Sequence, residues 1–560
     1  MNKKLLLSIF LIVILIKIVF IIFIPTPTAF SDNYTYSKMA SSFWNEQTIE
    51  VHNLPVTKYP PLYSMLISPA YIFKDMVWVF FLIKVINSIL SSLIIIPTYL
   101  LAKNFLNKKY TFLISLIVGI LPPFFSLSAN IMAENLFYTL FTCTLFFLYK
   151  SSKNNNTIWP ILTGIFMGLT LLTKTLGLVL IPTILVYYYS LLISKNISIR
   201  KGIQNIGIST LCMVALYSPW YIRNYYLSKN VVSSLGSSVP AYFSILSNPY
   251  IIISIFFWII IYLAYISLAG GIIFPLWATN LFLKYKTKSL FPLLSLTFVP
   301  LSFLIMIASI HSASANIGFL GLNGKILGRY VEASLPLLFI SGAVILTNYK
   351  KKEFKNIILI TFLFSLLGTL VSFYDLLPIN GSSLTWLGIP SYILTMYLNN
   401  KFLYSLIIFS LLFVCFFTFL KIISKYISKP TTILKGVIIL FLFINLLSYG
   451  ITYYNSSNYW SSNPQSELGL WLNENIDHSA VILIDEGYEG KLTKTETNNL
   501  YEKSFTGQFV TIFGLWTNNK IIIGDTKDNN ADFIITKDKL NLKMVHKTQN
   551  NIYVYENEQR

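Results

Sequence analysis

The chain has 560 residues, of which 55% are hydrophobic and 16% aromatic, with 11% charged and a mean hydropathy of +0.64. That balance excludes a soluble globular protein of this length, and apolar runs of roughly 20 residues recur along it, as in a polytopic membrane protein. The net charge of +20 does not point to nucleic acid, because the Lys and Arg residues sit in short clusters between apolar runs, where they encode topology.

In chain order, the run from about Leu5 to Ile24 follows MNKK and lacks a small-x-small cleavage site. It reads as an uncleaved signal anchor with its N-terminus in the cytoplasm. Further runs near 76–102, 110–128, 131–149, 158–173, 175–193, 204–222, 250–283, 289–310, 333–348, 355–374, 401–421 and 433–454 bring the expectation to about 13 spans. The stretch near 384–400 reads as a re-entrant or interfacial piece. Alternate loops are basic, from Lys103, Lys108 and Lys109 through Lys195, Arg200 and Lys201 to Lys421, Lys425 and Lys429. The positive-inside rule assigns those loops to the cytoplasm, and an odd span number then leaves the C-terminus outside. Cys143, Cys212 and Cys415 lie scattered in apolar runs and imply neither a disulfide framework nor a metal site.

From Trp460 the character changes. This tail carries 14 of the 22 acids but 10 of the 42 basic residues. Short apolar strands (AVILI, NKIIIG, ADFIIT, NIYVYE) follow ELGLWLNENI, which reads as an amphipathic helix. The expectation is a membrane domain over 1–459, with a first outer loop over about 26–75, and a small extracytoplasmic α/β domain over 460–560.

Only eight acids precede the tail, and on this topology all but Glu353 lie on the outer side. Asp32 opens the first outer loop, SDNYTYSKMASSFW. In the helical register that follows, Tyr36, Met39, Ala40 and Phe43 share one face, and Ser37, Lys38, Ser41 and Ser42 the other. That pattern predicts an amphipathic helix lying on the membrane surface. Asp32 itself reads either as a helix cap or as a functional acid. The loop continues through Lys58 in KYPP, where tandem prolines fix an extended turn. Glu134, at the mouth of an otherwise uncharged span, is a functional candidate because charge at that depth is costly without a partner. Lys174 (TKTLG), Arg223 (PWYIRN) and Arg329 with Tyr330 (GRY) are cations or their neighbours on the side where basic residues are scarce. Something anionic should hold them there, a lipid headgroup or a bound phosphate.

The order of these features resembles the polytopic glycosyltransferases of the GT-C superfamily, which include protein O-mannosyltransferases and lipid A aminoarabinose transferases. It runs from an outer-loop Asp through K-x-P-P, A-E, T-K-x-x-G and P-W-x-x-R-N to G-R-Y-x-x-x-x-x-P. Where many relatives have Asp-Glu, this chain has Asp32-Asn33. The resemblance implies a sugar donor carried on a polyprenyl phosphate and a protein, glycan or lipid acceptor whose hydroxyl attacks from outside. Asp32 would be the base and Glu134 the second catalytic carboxylate, orienting the acceptor or sharing a divalent metal cation with Asp32. Lys58, Lys174, Arg223, Arg329 and Tyr330 would hold the donor phosphate. No cofactor beyond that metal is implied. An oligosaccharyltransferase catalytic subunit and a secondary transporter or flippase are the alternatives. The first lacks its W-W-D segment here; against the second, Lys17 and Lys84 are the only obvious in-span charges, while the key ionisable residues cluster at outer ends.

Overall fold

A computed structural model describes residues 3–25, 31–52, 54–227, 249–270, 290–314, 326–348, 429–457, 464–485, 513–524, 531–548 and 551–557, with isolated positions between 407 and 426. The expected pieces near 355–374 and 384–400, and most of 401–421, lie outside the described residues. Helix α1 (Lys3–Ile21) leads to α2 (Ser31–Glu46), a two-strand ribbon of β1 (Glu50–Val51) and β2 (Leu54–Pro55), and the short α3 (Leu62–Ile67). Then come α4 (Met76–Ser92), α5 (Ile95–Ala102), α6 (Lys108–Gly119), α7 (Pro122–Ser126), α8 (Glu134–Lys153), α9 (Ile158–Thr173), α10 (Leu180–Ile193) and α11 (Ile199–Leu227). After them follow α12 (Pro249–Ala269), α13 (Phe291–Ser314), α14 (Leu335–Asn348), α15 (Pro430–Asn455) and α16 (Pro464–Asn475).

Local chemistry sets several of these boundaries. Asp75 starts α4 by accepting from the Val77 amide at 2.8 Å, and Asn107 starts α6 through the Tyr110 amide at 3.1 Å. Pro122 and Pro123 cannot continue α6, so the chain bends by 50° between α6 and the segment to Ala129. Gly164 lets α9 and α11 meet, since a Cβ there would fall 2.2 Å from the Ser209 carbonyl oxygen; Ser209 in turn donates to the Pro160 carbonyl at 2.9 Å.

Among the described residues, six helical segments are long and apolar enough to cross a membrane: 4–21, 76–102, 175–193, 249–267, 291–313 and 430–454. The bent α6–α7 pair makes a seventh. The chain is therefore a polytopic α-helical membrane protein with a β-rich C-terminal extension.

That extension is a five-stranded mixed sheet in the order β4-β3-β5-β7-β6. Strand β3 (Val481–Asp485) runs parallel to both β4 (Lys520–Gly524) and β5 (Phe533–Thr536). The antiparallel strands β6 (Lys543–Lys547) and β7 (Tyr553–Glu556) complete it. Its apolar face does not stand alone. Leu468, Ile482, Trp516 and Ile521 share one core with Tyr34, Met39 and Val79, and the Phe80 and Trp516 rings meet edge to face at 5.1 Å.

This packing corrects the surface-helix expectation for α2. Residues 33–41 of that helix are buried on both faces. The polar face is occupied rather than wet: Lys38 donates to the Thr517 carbonyl, and the Ser37 and Tyr71 hydroxyls meet at 2.6 Å. Burial lowers the Lys38 ammonium to about 7, the cost of enclosing a cation whose partner is a neutral carbonyl. His52, in the left-handed region at φ 53°, accepts from the Ile521 amide through Nδ1 at 3.0 Å, so its Nε2 carries the proton toward the Tyr34 hydroxyl 2.6 Å away. Helix α2 is held between the helical bundle and the C-terminal sheet.

Candidate active site

Asp32 lies in the first turn of α2. Its carboxylate does not cap the helix toward solvent but accepts from the Tyr59 hydroxyl at 2.7 Å and pairs with the Arg329 guanidinium at 3.0 Å. Tyr59 is the residue between Lys58 and the tandem prolines. The rigid turn read from KYPP thus delivers a hydrogen-bond donor to Asp32, a role that the sequence reading overlooked.

Glu134 is the first residue of α8, where the helix dipole favours a carboxylate. It is buried, with 1% of its side chain exposed, and is not an acid at the interface reaching for water. Lys174, in extended backbone where α9 ends, donates to Glu134 Oε1, and Arg329 Nε stands 3.5 Å from the same oxygen. Arg329 therefore bridges the two carboxylates. It is presented by a 3₁₀ turn, Gly328–Tyr330, which a second such turn, Glu332–Ser334, joins to α14. The Tyr330 ring lies beneath both cations, 5.1 Å from the Lys174 ammonium and 5.9 Å from the Arg329 guanidinium.

Two acids and two bases thus form a charge-balanced cluster. Burial alone would raise the Asp32 carboxyl, but Arg329, the Tyr59 hydroxyl and Lys174 outweigh it and hold the group below the usual aspartate range. Burial likewise opposes charge on Arg329, yet Glu134 and Asp32 raise its guanidinium above the ordinary value. At Lys174 burial prevails over the pull of Glu134 and lowers the ammonium. His311 joins the edge of this cluster through the Tyr330 ring, with centroids 5.4 Å apart. Lys58 itself is exposed, beside the Tyr59 ring.

Arg223 departs from expectation. Its guanidinium donates to the Val56 carbonyl at 2.9 Å and the Ile49 carbonyl at 3.0 Å, and it stacks over Trp220 at 4.7 Å. Asn224 adds a bond to the Thr57 carbonyl at 3.1 Å. The R-N pair at the end of α11 thus clamps the main chain of the first outer loop and does not join the Asp32–Glu134 cluster. The reason is stereochemical: two carbonyls of a tight ribbon match the planar fork as well as a phosphate would. Because Ile49 also accepts from the Val56 amide at 3.1 Å, Arg223→Met should loosen that ribbon. The expected result is faster amide exchange at Val56, measured by hydrogen–deuterium exchange in lipid nanodiscs; unchanged protection there would show that the clamp is dispensable.

Among the described residues no group of three or more His, Cys, Asp or Glu side chains gathers for a metal ion. A divalent cation shared by Asp32 and Glu134 would have to take the position that Arg329 now bridges.

Residues 58–222 match the family profile of dolichyl-phosphate-mannose-protein mannosyltransferases. The crystal structure of ArnT from Cupriavidus metallidurans in the apo state superposes with a TM-score of 0.59 at 13% identity, covering 98% of this chain and 97% of that one. The chain therefore shares the fold of that ArnT structure. The ArnT structure bound to undecaprenyl phosphate is similar to the chain with a TM-score of 0.56 at 12% identity, over 93% of this chain and 86% of that one. No curated protein matches the sequence. Within this fold, the cluster of Asp32, Glu134, Lys174 and Arg329 is drawn from four separate helix ends and turns.

Proposed function

We propose that the chain is an integral-membrane glycosyltransferase that moves a sugar from a polyprenyl-phosphate donor to an acceptor hydroxyl on the extracytoplasmic face. The observation that carries this reading is the bridge made by Arg329 between Asp32 and Glu134, in a fold shared with an enzyme solved with undecaprenyl phosphate bound. The cluster is neutral as it stands, and a donor phosphate brings one further negative charge. Its oxygens compete for Arg329 and Lys174, cations that the carboxylates hold in reserve. Lys58 and Tyr330 lie at the margin of the same cluster and would complete the phosphate contacts.

Partner exchange prepares the base. While Arg329 sits on Asp32, the carboxylate is a weak proton acceptor. Once the phosphate draws the guanidinium away, Asp32 gains basicity and takes the acceptor's proton. The acceptor oxygen then bonds to the anomeric carbon as the carbon–oxygen bond to the phosphate breaks, and the lipid phosphate leaves with the electron pair. That leaving group needs charge neutralisation and no general acid, unlike the alkoxide in glycoside hydrolysis. Glu134 keeps Lys174 charged and in place, and orients the acceptor.

About 13 spans, a cytoplasmic N-terminus and an outer C-terminal domain complete the reading, supported by the basic residues of alternate loops. Cysteine introduced as Lys543→Cys, on the exposed strand β6, should react with a membrane-impermeant maleimide in intact cells; labelling that appears only after lysis would reverse the topology. An oligosaccharyltransferase would share this fold and is separated by the size of the glycan it moves. Mass analysis of surface glycans and lipids, with the gene intact and disrupted, tests the function. Disruption should remove one sugar modification and leave its lipid-linked donor in place; an unchanged glycan and lipid profile would count against the assignment.

A further inference from the structure

Glu332 lies three residues beyond Arg329 and is 2% exposed. Both of its carboxylate oxygens accept from tyrosines. Tyr265, from α12, donates to Oε1 at 2.5 Å, and Tyr138, from α8, donates to Oε2 at 2.7 Å. The Tyr138 oxygen is also 3.0 Å from the Arg329 carbonyl oxygen, so its proton is shared between the turn and the acid. Tyr138 follows Glu134 by one helical turn and stands on the same face of α8. Arg329 therefore meets that face twice, through its side chain at Glu134 and through its carbonyl at Tyr138.

The other side of the turn is held in the same way. The Leu327 amide donates to the Tyr262 hydroxyl at 3.0 Å, and that hydroxyl meets Ser312 at 2.8 Å. A Cβ on Gly328 would fall 2.0 Å from the Tyr265 oxygen, so only glycine lets the turn settle on this ring. The three tyrosines form a cradle whose hydroxyls are all engaged, and Glu332 joins its two halves.

We propose that Glu332 is a positioning residue. By accepting from Tyr138 and Tyr265 it locks the 327–330 turn against α8 and α12, and so sets where the Arg329 guanidinium stands between Asp32 and Glu134. The inference rests on the reading of Arg329 as a donor-phosphate contact. Its hydrogen bonds, not its charge, do the positioning. A glutamine can accept from one tyrosine and donate to the other, whereas alanine takes the acid from Tyr265 and leaves Tyr138 only the Arg329 carbonyl.

Binding of undecaprenyl phosphate to the full chain in nanodiscs tests this by thermophoresis. Glu332→Ala should weaken binding about tenfold, the size of one misplaced charge-assisted contact. Glu332→Gln should recover most of that loss. On an Arg329→Met background, Glu332→Ala should add nothing, because the group it positions is gone. Should Glu332→Ala fail to fold, Tyr265→Phe removes one of the two donors and keeps the packing; its smaller loss should likewise vanish beside Arg329→Met. Losses that multiply in the double variant, or a glutamine variant as weak as alanine, would overturn the positioning role while leaving the donor reading intact. A wild-type chain that does not bind the lipid, or an Arg329→Met variant that binds it normally, would overturn the donor reading and this inference with it.

Discussion

Asp32→Asn should lower sugar transfer by about 10²–10⁴-fold, the usual range for loss of a positioned general base, while leaving the protein folded and membrane-inserted. The amide keeps the shape of the carboxylate and can still accept from Tyr59, but it cannot take a proton. It also frees Arg329, so affinity for the lipid phosphate should hold or rise while turnover falls. Transfer within a few-fold of the parent would reduce Asp32 to an anchor for Arg329. The pH profile adds a second signature. In the free protein Asp32 is held below the usual aspartate value, so its ion pair is present above that depressed value and is lost only as pH falls through it. Donor binding removes the guanidinium that depresses it. The acid limb of kcat, which reports the bound complex, should therefore lie at higher pH than the acid limb of kcat/KM, which reports the free enzyme. Coincident limbs would contradict the exchange of partners.

Arg329→Met should weaken undecaprenyl phosphate binding about tenfold to a hundredfold, because methionine keeps an apolar stem but loses the charge and the fork. A cost to the fold accompanies it. Removing one partner of a buried ion pair costs about 3–5 kcal/mol, but here the loss should be smaller. Glu134 keeps Lys174, and 22% of the Asp32 side chain reaches solvent and can hydrate. The expected result is a protein with a modestly lower Tm and a much weaker grip on the lipid. Normal lipid affinity with a large fall in Tm would make Arg329 a structural bridge and nothing more.

Apolar runs, basic loops and the isolated outer acids were legible in the sequence because each is a local signal whose meaning does not depend on distant residues. The order of short motifs also located Asp32, Glu134, Lys174 and Arg329, which the fold brings into one cluster. Three things were not legible. Arg223 has the same chemistry as Arg329, and only the tertiary position of the 49–57 ribbon decides that its fork meets carbonyls. Helix α2 shows the pattern of a helix half in lipid, yet Tyr71 and the chain just before β4 occupy its polar face; Lys38 and Thr517 are 479 residues apart. Glu332 was visible as one of eight acids, but its partners Tyr138 and Tyr265 lie 194 and 67 residues away, on helices whose apolar patterns gave tyrosines no distinction from the rest.

The most direct test is release of the lipid carrier. Purified full-length protein in nanodiscs is given the polyprenyl-phosphate sugars extracted from membranes of cells lacking the gene, together with an acceptor fraction from the same cells. Mass spectrometry should find free polyprenyl phosphate accumulating as one lipid-linked sugar is consumed, with the wild-type chain and not with Asp32→Asn. No consumption by the wild-type chain, or equal release by the Asp32→Asn variant, would contradict a transfer reaction run from this cluster.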